Sequence, residues 1–208
     1  MRVDAGFQQA WRSGELVFPA DPKLAGERWF LRTPVNPENS RDLVFIGINP
    51  SSATRFSTQK HGGDPTTAMI LKYFCLDAEG APRDWRSMTI LNLVPFVGQP
   101  GDLPEWNNAL GHQKILDSLK ITRQIFQEIL PECPVVHLMW GSPTGKKFPW
   151  KMELLEALVP EISALIATGH QVQAYMSNNG YPLHPGFGGL ANWRGKELLD
   201  ARPLLASR

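Results

Sequence analysis

Four short clusters have residue types and spacing suited to chemistry. In Gly47-Ile48-Asn49-Pro50-Ser51-Ser52 a residue without a side chain precedes a proline-fixed turn, so the backbone presents the amide of Asn49 in a defined direction. Asn92 interrupts the apolar run MTILNLVPF. A polar amide there must find partners or face a cavity, so it is either a structural bridge or a ligand contact. Trp140-Gly141-Ser142-Pro143-Thr144-Gly145-Lys146-Lys147 offers small residues, backbone N–H groups and two lysines ahead of a helix. That composition suits a phosphate, although the P-loop spacing is absent and a solvated lysine pair is the other reading. The fourth cluster, Ser177 to Gly189, holds His184 between Pro182 and Pro185, with glycines around Phe187 beyond it. A histidine in such a rigid loop is a candidate for contact with a ligand.

Each cluster follows an apolar run that reads as a buried strand: Leu43 to Ile48, Met88 to Val94, Val135 to Trp140 and Val172 to Met176. Helical patterns lie between them. Thr66 to Phe74 has Asp64 at a cap position and Pro65 at the first helical position. Gln113 to Leu130 places Ile115, Leu119, Phe126 and Ile129 on one face and stops at Pro131. Lys151 to Thr168 repeats the pattern up to Gly169, with Pro160 expected to kink or divide it. Trp29 to Arg32 is a candidate edge strand. Strand then helix, repeated, predicts an α/β fold: a three-layer α/β/α sandwich around a mostly parallel sheet of four or five strands. Ligands bind past the carboxyl ends of such strands, which is where the four clusters fall.

Composition bounds the alternatives. A chain of 208 residues, 42% hydrophobic and 20% charged, fits one globular domain over residues 1–208 with its motif-bearing core at about 43–190. Cys75 and Cys133 are too few for a disulfide scaffold or a four-cysteine metal site, and the five histidines are scattered, so neither metal nor cofactor is expected. No apolar run has the length of a bilayer span and the amino terminus lacks a signal-peptide core, which predicts a cytoplasmic protein without a membrane partner. The formal charge of +1 argues against a blanket of positive charge. The windows 47–63, 140–151 and 180–196 nonetheless hold Arg55, Lys60, Lys146, Lys147, Lys151, Arg194 and Lys196 and no acid, so the basic excess falls on the motifs.

In order along residues 43 to 190, the motifs GINPS, LNLVP, WGSPTGKK and HPG resemble the uracil-DNA glycosylase superfamily. GINPS is closest to the mismatch-specific uracil and thymine enzymes, and LMWGSPTGKK to the uracil-specific ones. The chain also resembles a bacterial domain family of unknown function through Asn49 to Ala53, Asp64 to Thr66 and Gly180 to Pro185. The superfamily resemblance implies DNA as partner, a monomer, and monofunctional hydrolysis of an N-glycosidic bond by a base-flipping enzyme, leaving an abasic site. It implies that Asn49 positions the attacking water through its carbonyl oxygen and that His184 donates a hydrogen bond to the base oxygen. Gly47, Ile48 and Asn92 would contact the base, with Asn92 reading its Watson–Crick edge. Ser51, Ser142, Lys146, Lys147 and Arg194 would hold DNA, and Phe187 or Leu190 would wedge into the stack.

Three departures from the superfamily pattern alter this expectation. Ser51 stands where the uracil-specific enzymes carry a tyrosine that excludes 5-substituents, and the base-stacking phenylalanine is missing near His61, Gly62 and Gly63. A wide pocket follows, suited to a pyrimidine with a bulky 5-substituent, such as the hydroxymethylated or glucosylated cytosine of phage DNA, with an antiviral role as a corollary. His61 or Phe56 would replace the stacking ring. Asp64 would contact a polar substituent or simply cap the next helix. Gly186 removes a phosphate-binding hydroxyl after His-Pro. The alternatives are a hydrolase of free modified nucleotides and a non-catalytic nucleic-acid sensor, the latter suggested by the absence of a carboxylate at position 49.

Overall fold

The computed structural model describes residues 3–57, 64–74, 84–98, 109–142, 150–166, 169–185 and 192–206. Its frame is set by β3 (Asp42–Gly47), all six residues of which are buried. This strand pairs in parallel with β4 (Ser87–Asn92) on one side and β5 (Val135–Leu138) on the other, and β5 pairs in parallel with β6 (Gln171–Tyr175). Strands covered on both faces have no polar side to alternate with, which explains the continuous apolar runs. Leu43 and Phe45 point to one face, and Val44 and Ile46 to the other.

The face under Leu43 and Phe45 is covered by α3 (Pro65–Phe74), through Ile70, Leu71 and Phe74. The opposite face carries α1 (Val3–Ser13), α4 (Ala109–Ile129), α5 (Trp150–Leu165) and α6 (Arg202–Ala206). A single turn, α2 (Pro22–Ala25), lies between β1 (Val17–Phe18) and β2 (Phe30–Arg32). With β7 (Leu198–Asp200) the described residues form one seven-stranded sheet of order β1-β2-β4-β3-β5-β6-β7.

The α/β class is as expected, but the strand count and the mostly parallel character are not. Only the four middle strands are mutually parallel. β1 and β2 extend one side in antiparallel fashion and β7 closes the other. These three strands are two or three residues long, too short to show a period in sequence. Arg32 and its neighbours do not form an edge, because β1 lies outside them. Pro160 also fails to divide its helix: α5 runs unbroken from Trp150 to Leu165. Pro160 is exposed, so the carbonyl deprived of its helical donor faces water rather than the core. Among the described residues no helix is long and apolar enough to cross a membrane.

The α3 face contains an unusual core residue. His137 is fully buried among Phe45, Phe74, Tyr175 and Trp193, with ring centroids 5.1 to 5.6 Å away, and neither ring nitrogen has a hydrogen-bond partner. Burial lowers its pKa to about 3. The unfolded chain takes up this proton near 6.5 and the folded chain does not, so the stability contributed by neutral His137 is complete above 6.5 and is lost as the pH falls towards 3. Urea unfolding compared at about pH 7.5 and about pH 5 is expected to show an acid loss of about 1.4 kcal/mol per pH unit from this site, which His137→Phe removes. An unchanged slope in that variant refutes the assignment.

Candidate active site

The central strands bring their carboxyl ends to one rim, where a cavity of about 370 Å³ opens. From β3 onward the chain goes first to β4 on one side and then to β5 on the other. The crevice therefore lies where strand order reverses, the usual ligand position in open α/β sheets.

Gly47 and Asn92 are register partners at the ends of β3 and β4. A Cβ on Gly47 would lie 2.9 Å from Asn92 Oδ1 and 3.3 Å from Met139 Cε, so the missing side chain is the space the Asn92 amide occupies. Asn92 lines the cavity, is 7% exposed, and has an Nδ2 without a hydrogen-bond partner. An unmet buried donor costs about 1–3 kcal/mol, and this one faces the cavity, where an acceptor could meet it.

Asn49 lies just beyond β3. Its Nδ2 donates to Gly98 O at 2.8 Å, so the backbone acceptor sets the amide orientation and Oδ1 remains to accept from a water or ligand. The following turn is braced from below. Arg28, 3% exposed, donates through Nη1 to Ser51 O at 3.2 Å and Ala53 O at 3.1 Å. Burial lowers Arg28 to about 10, partly offset by the charge of Asp64, so it stays a cation at neutral pH. Asp64 has both of its expected placements. Its Oδ1 caps α3 by accepting from Thr66 N at 2.9 Å and Thr67 N at 3.0 Å, and the residue also lines the cavity.

His184 is supplied by the segment after β6. Leu183 N donates to Tyr175 O at 2.7 Å, Trp193 Nε1 to Leu183 O at 3.0 Å, and Asn192 Nδ2 to His184 O at 3.0 Å. Burial, with the nearby charge of Lys151, lowers His184 to about 4 against the opposing pull of Asp64. The imidazole is therefore neutral at pH 7 and acts as a hydrogen-bond donor rather than a cation. Lys151, 2% exposed, is the second residue of α5 and lies on its buried face with Leu154, Leu155 and Leu158. Its Nζ donates to Trp140 O and Ser142 O, and burial lowers its pKa to about 7.

Of the expected site residues, Ile48, Asn49, Ser51, Asp64, Asn92, Ser142 and His184 line this one cavity. Gly47 acts beneath it as the spacer for Asn92. Phe56 is not at the cavity, because it packs on the α3-side core, and Arg194 is exposed on a turn away from the lining. His61, Lys146, Lys147, Phe187 and Leu190 lie outside the described residues. The sequence does not single out Arg28 as a site residue and shows Lys151 only as part of a basic window. A cation at position 151, in register with the apolar stripe 154, 155 and 158, is the signal that marks it as buried. Among the described residues no three His, Cys, Asp or Glu side chains gather as a metal would require.

The arrangement joins an amide with an open acceptor, an amide with an unmet donor, a neutral imidazole, a guanidinium cation and a lysine near its titration point against one described carboxylate. The chain belongs to the family described as protein of unknown function (DUF1643), whose profile matches residues 28–186. That span begins at Arg28 and includes every cavity residue named above except Asn192. No curated protein and no solved structure matches the chain.

Gly47→Ala is expected to destabilise the fold by about 1–3 kcal/mol in urea titration, through collision with the Asn92 amide. Combining it with Asn92→Ala should recover about 1 kcal/mol or more, because the colliding atom is then gone. Strict additivity of the two changes would refute the spacer role.

Proposed function

We propose that the protein is a monofunctional DNA glycosylase with a uracil-DNA glycosylase-like fold, hydrolysing the N-glycosidic bond of a pyrimidine that carries a bulky 5-substituent. The observation that carries this reading is that Asn49, Asn92 and His184, from three separate strand exits, line one cavity. In the motif order of the superfamily the sequence resembles, these are the water-positioning, base-reading and oxygen-stabilising positions.

In the proposed reaction a water held by Asn49 Oδ1 adds to C1′ and gives its proton to solvent. The C1′–N bond breaks with its electron pair on the base, and neutral His184 donates a hydrogen bond to the base oxygen as charge builds there. An amide accepts a hydrogen bond from the water but cannot take its proton, so the water attacks late, on a sugar that already carries positive charge. Asn92 Nδ2 meets an acceptor on the base edge, which satisfies its unmet donor.

The cavity volume supports the substrate class: about 370 Å³ lies in the range that admits drug-sized ligands, more than a bare pyrimidine fills. Among the described residues no aromatic ring closes the wall by Ser51, and Asp64 and Thr66 offer polar groups to a hydroxylated substituent. DNA as substrate is supported by Arg55, Arg194 and Lys196, exposed on the segments that also carry cavity residues.

The test is incubation with single- and double-stranded oligonucleotides containing uracil, mismatched thymine, 5-hydroxymethylcytosine or its glucosylated form, followed by alkali cleavage and mass spectrometry of released bases. Release is expected to be largest for the 5-modified cytosines. Asn49→Ala and His184→Ala should each lower it about 100-fold or more. Because His184 is already neutral at pH 7 and its pKa lies at about 4, the rate should not fall as the pH drops through the ordinary histidine range. No alkali-labile site on any of these substrates overturns the proposal. Release from free nucleotides alone reassigns the protein to a nucleotide hydrolase, and salt-sensitive DNA binding without turnover to a sensor.

A further inference from the structure

Lys151 has no part in the reaction just described, yet it is a buried amine in the cavity wall. An ammonium withdrawn from water needs compensation from a negative charge or from a full set of acceptors. Lys151 Nζ has three N–H donors and, among the described residues, two acceptor partners, the carbonyls of Trp140 and Ser142, with no carboxylate accepting from it. Carbonyls favour the ammonium form without neutralising it, so when protonated Lys151 brings a positive charge to the cavity, with one N–H uncommitted among the described residues.

Gly141 fixes where that charge sits. With φ +70 it turns the chain between the two accepting carbonyls, and a Cβ there would lie 3.6 Å from Lys151 Nζ and 3.9 Å from His184 Cβ. The ammonium and the imidazole therefore flank the same glycine, close enough for the charge of Lys151 to depress His184. Among the described residues, the other charged and titratable groups lining the cavity are Arg28, Asp64 and Tyr181. Arg28 is committed to Ser51 and Ala53, and Asp64 Oδ1 to the first turn of α3. Among the described residues, an anion entering beside His184 thus meets Lys151 as the counter-charge that no side chain neutralises.

We propose that Lys151 is a catalytic residue that pairs, through its ammonium, with the negative charge developing on the departing base, while His184 contributes a neutral hydrogen bond to the same group. This rests on the glycosylase reading. The electron pair of the C1′–N bond leaves on the base, the anion is held against Lys151, and it takes a proton from solvent on release. Lys151 itself gains and loses no proton in the step. Burial that holds its pKa at about 7 adds a consequence: deprotonation above neutrality removes the charge.

The test uses Lys151→Met, of similar length without charge, and Lys151→Gln, which keeps donors for the two carbonyls. Single-turnover release is measured on the oligonucleotide base that the wild-type protein releases fastest. Both variants should lose about 100-fold or more in rate, the scale of removing one charge-stabilising donor, with KM changed less than about threefold. Wild-type kcat/KM should decline as the pH rises through about 7, and both variants should lack that decline. Thermal unfolding checks that the variants are folded, and the wild-type pH profile decides even where they are not. Base release by the wild type without an alkaline decline, or folded variants within threefold of its rate, overturns the role of Lys151 and leaves the glycosylase reading standing. Absence of base release by the wild type overturns both.

Discussion

Parallel pairing on both sides of β3 is the constraint on which the other features depend. Strands that run the same way must all leave the sheet at the same edge, so four segments distant in sequence open onto one rim. The register is tight enough to set one residue against another: Gly47 opposite Asn92 leaves room for an amide where any side chain would collide. Helices on both faces leave the strand ends as the natural place for polar side chains to meet without burial in the core.

Withdrawal from water then differentiates chemically similar groups. His184 is kept neutral, Arg28 remains charged because its intrinsic basicity is so high, and Lys151 is brought close to the pH at which it changes state. The same effect acts without any ligand on His137, which has aromatic rings for neighbours and no acceptor in reach. Three of these groups line the cavity and the fourth lies in the core beneath it, so a single physical cause produces both the electrostatics of the cavity and a cost in stability.

The middle of the sheet was legible in the sequence and its margins were not. β3 to β6 appear as apolar runs because burial on both faces removes polar residues, and α3 is marked by Asp64 and Pro65 at its start. β1, β2 and β7 are too short to carry a pattern, and α1 was read only for what it lacked as a signal peptide. At the cavity, Asn49, Asn92 and His184 stood out as polar residues at the ends of apolar strands. Arg28 and Lys151 did not, since a cation beside apolar residues reads equally as a long side chain reaching solvent. Phe56 was placed at the site by a gap in a motif, and packing on the α3-side core met the needs of that ring instead.

The loop bearing His184 is held partly from outside itself. Its carbonyls at Leu183 and His184 are held by Trp193 and Asn192, and Trp193 is wholly buried against Tyr175, Phe74 and His137. Positioning of a neutral imidazole at the rim is thus delegated to an aromatic block inside the protein. A genetic screen for lost function would recover lesions at Trp193, Phe74 or Tyr175 alongside those at the cavity, although none of these side chains lines it. Such alleles would be conditional, failing in warm cultures and recovering in cool ones, because they loosen a mount rather than remove a reactive group.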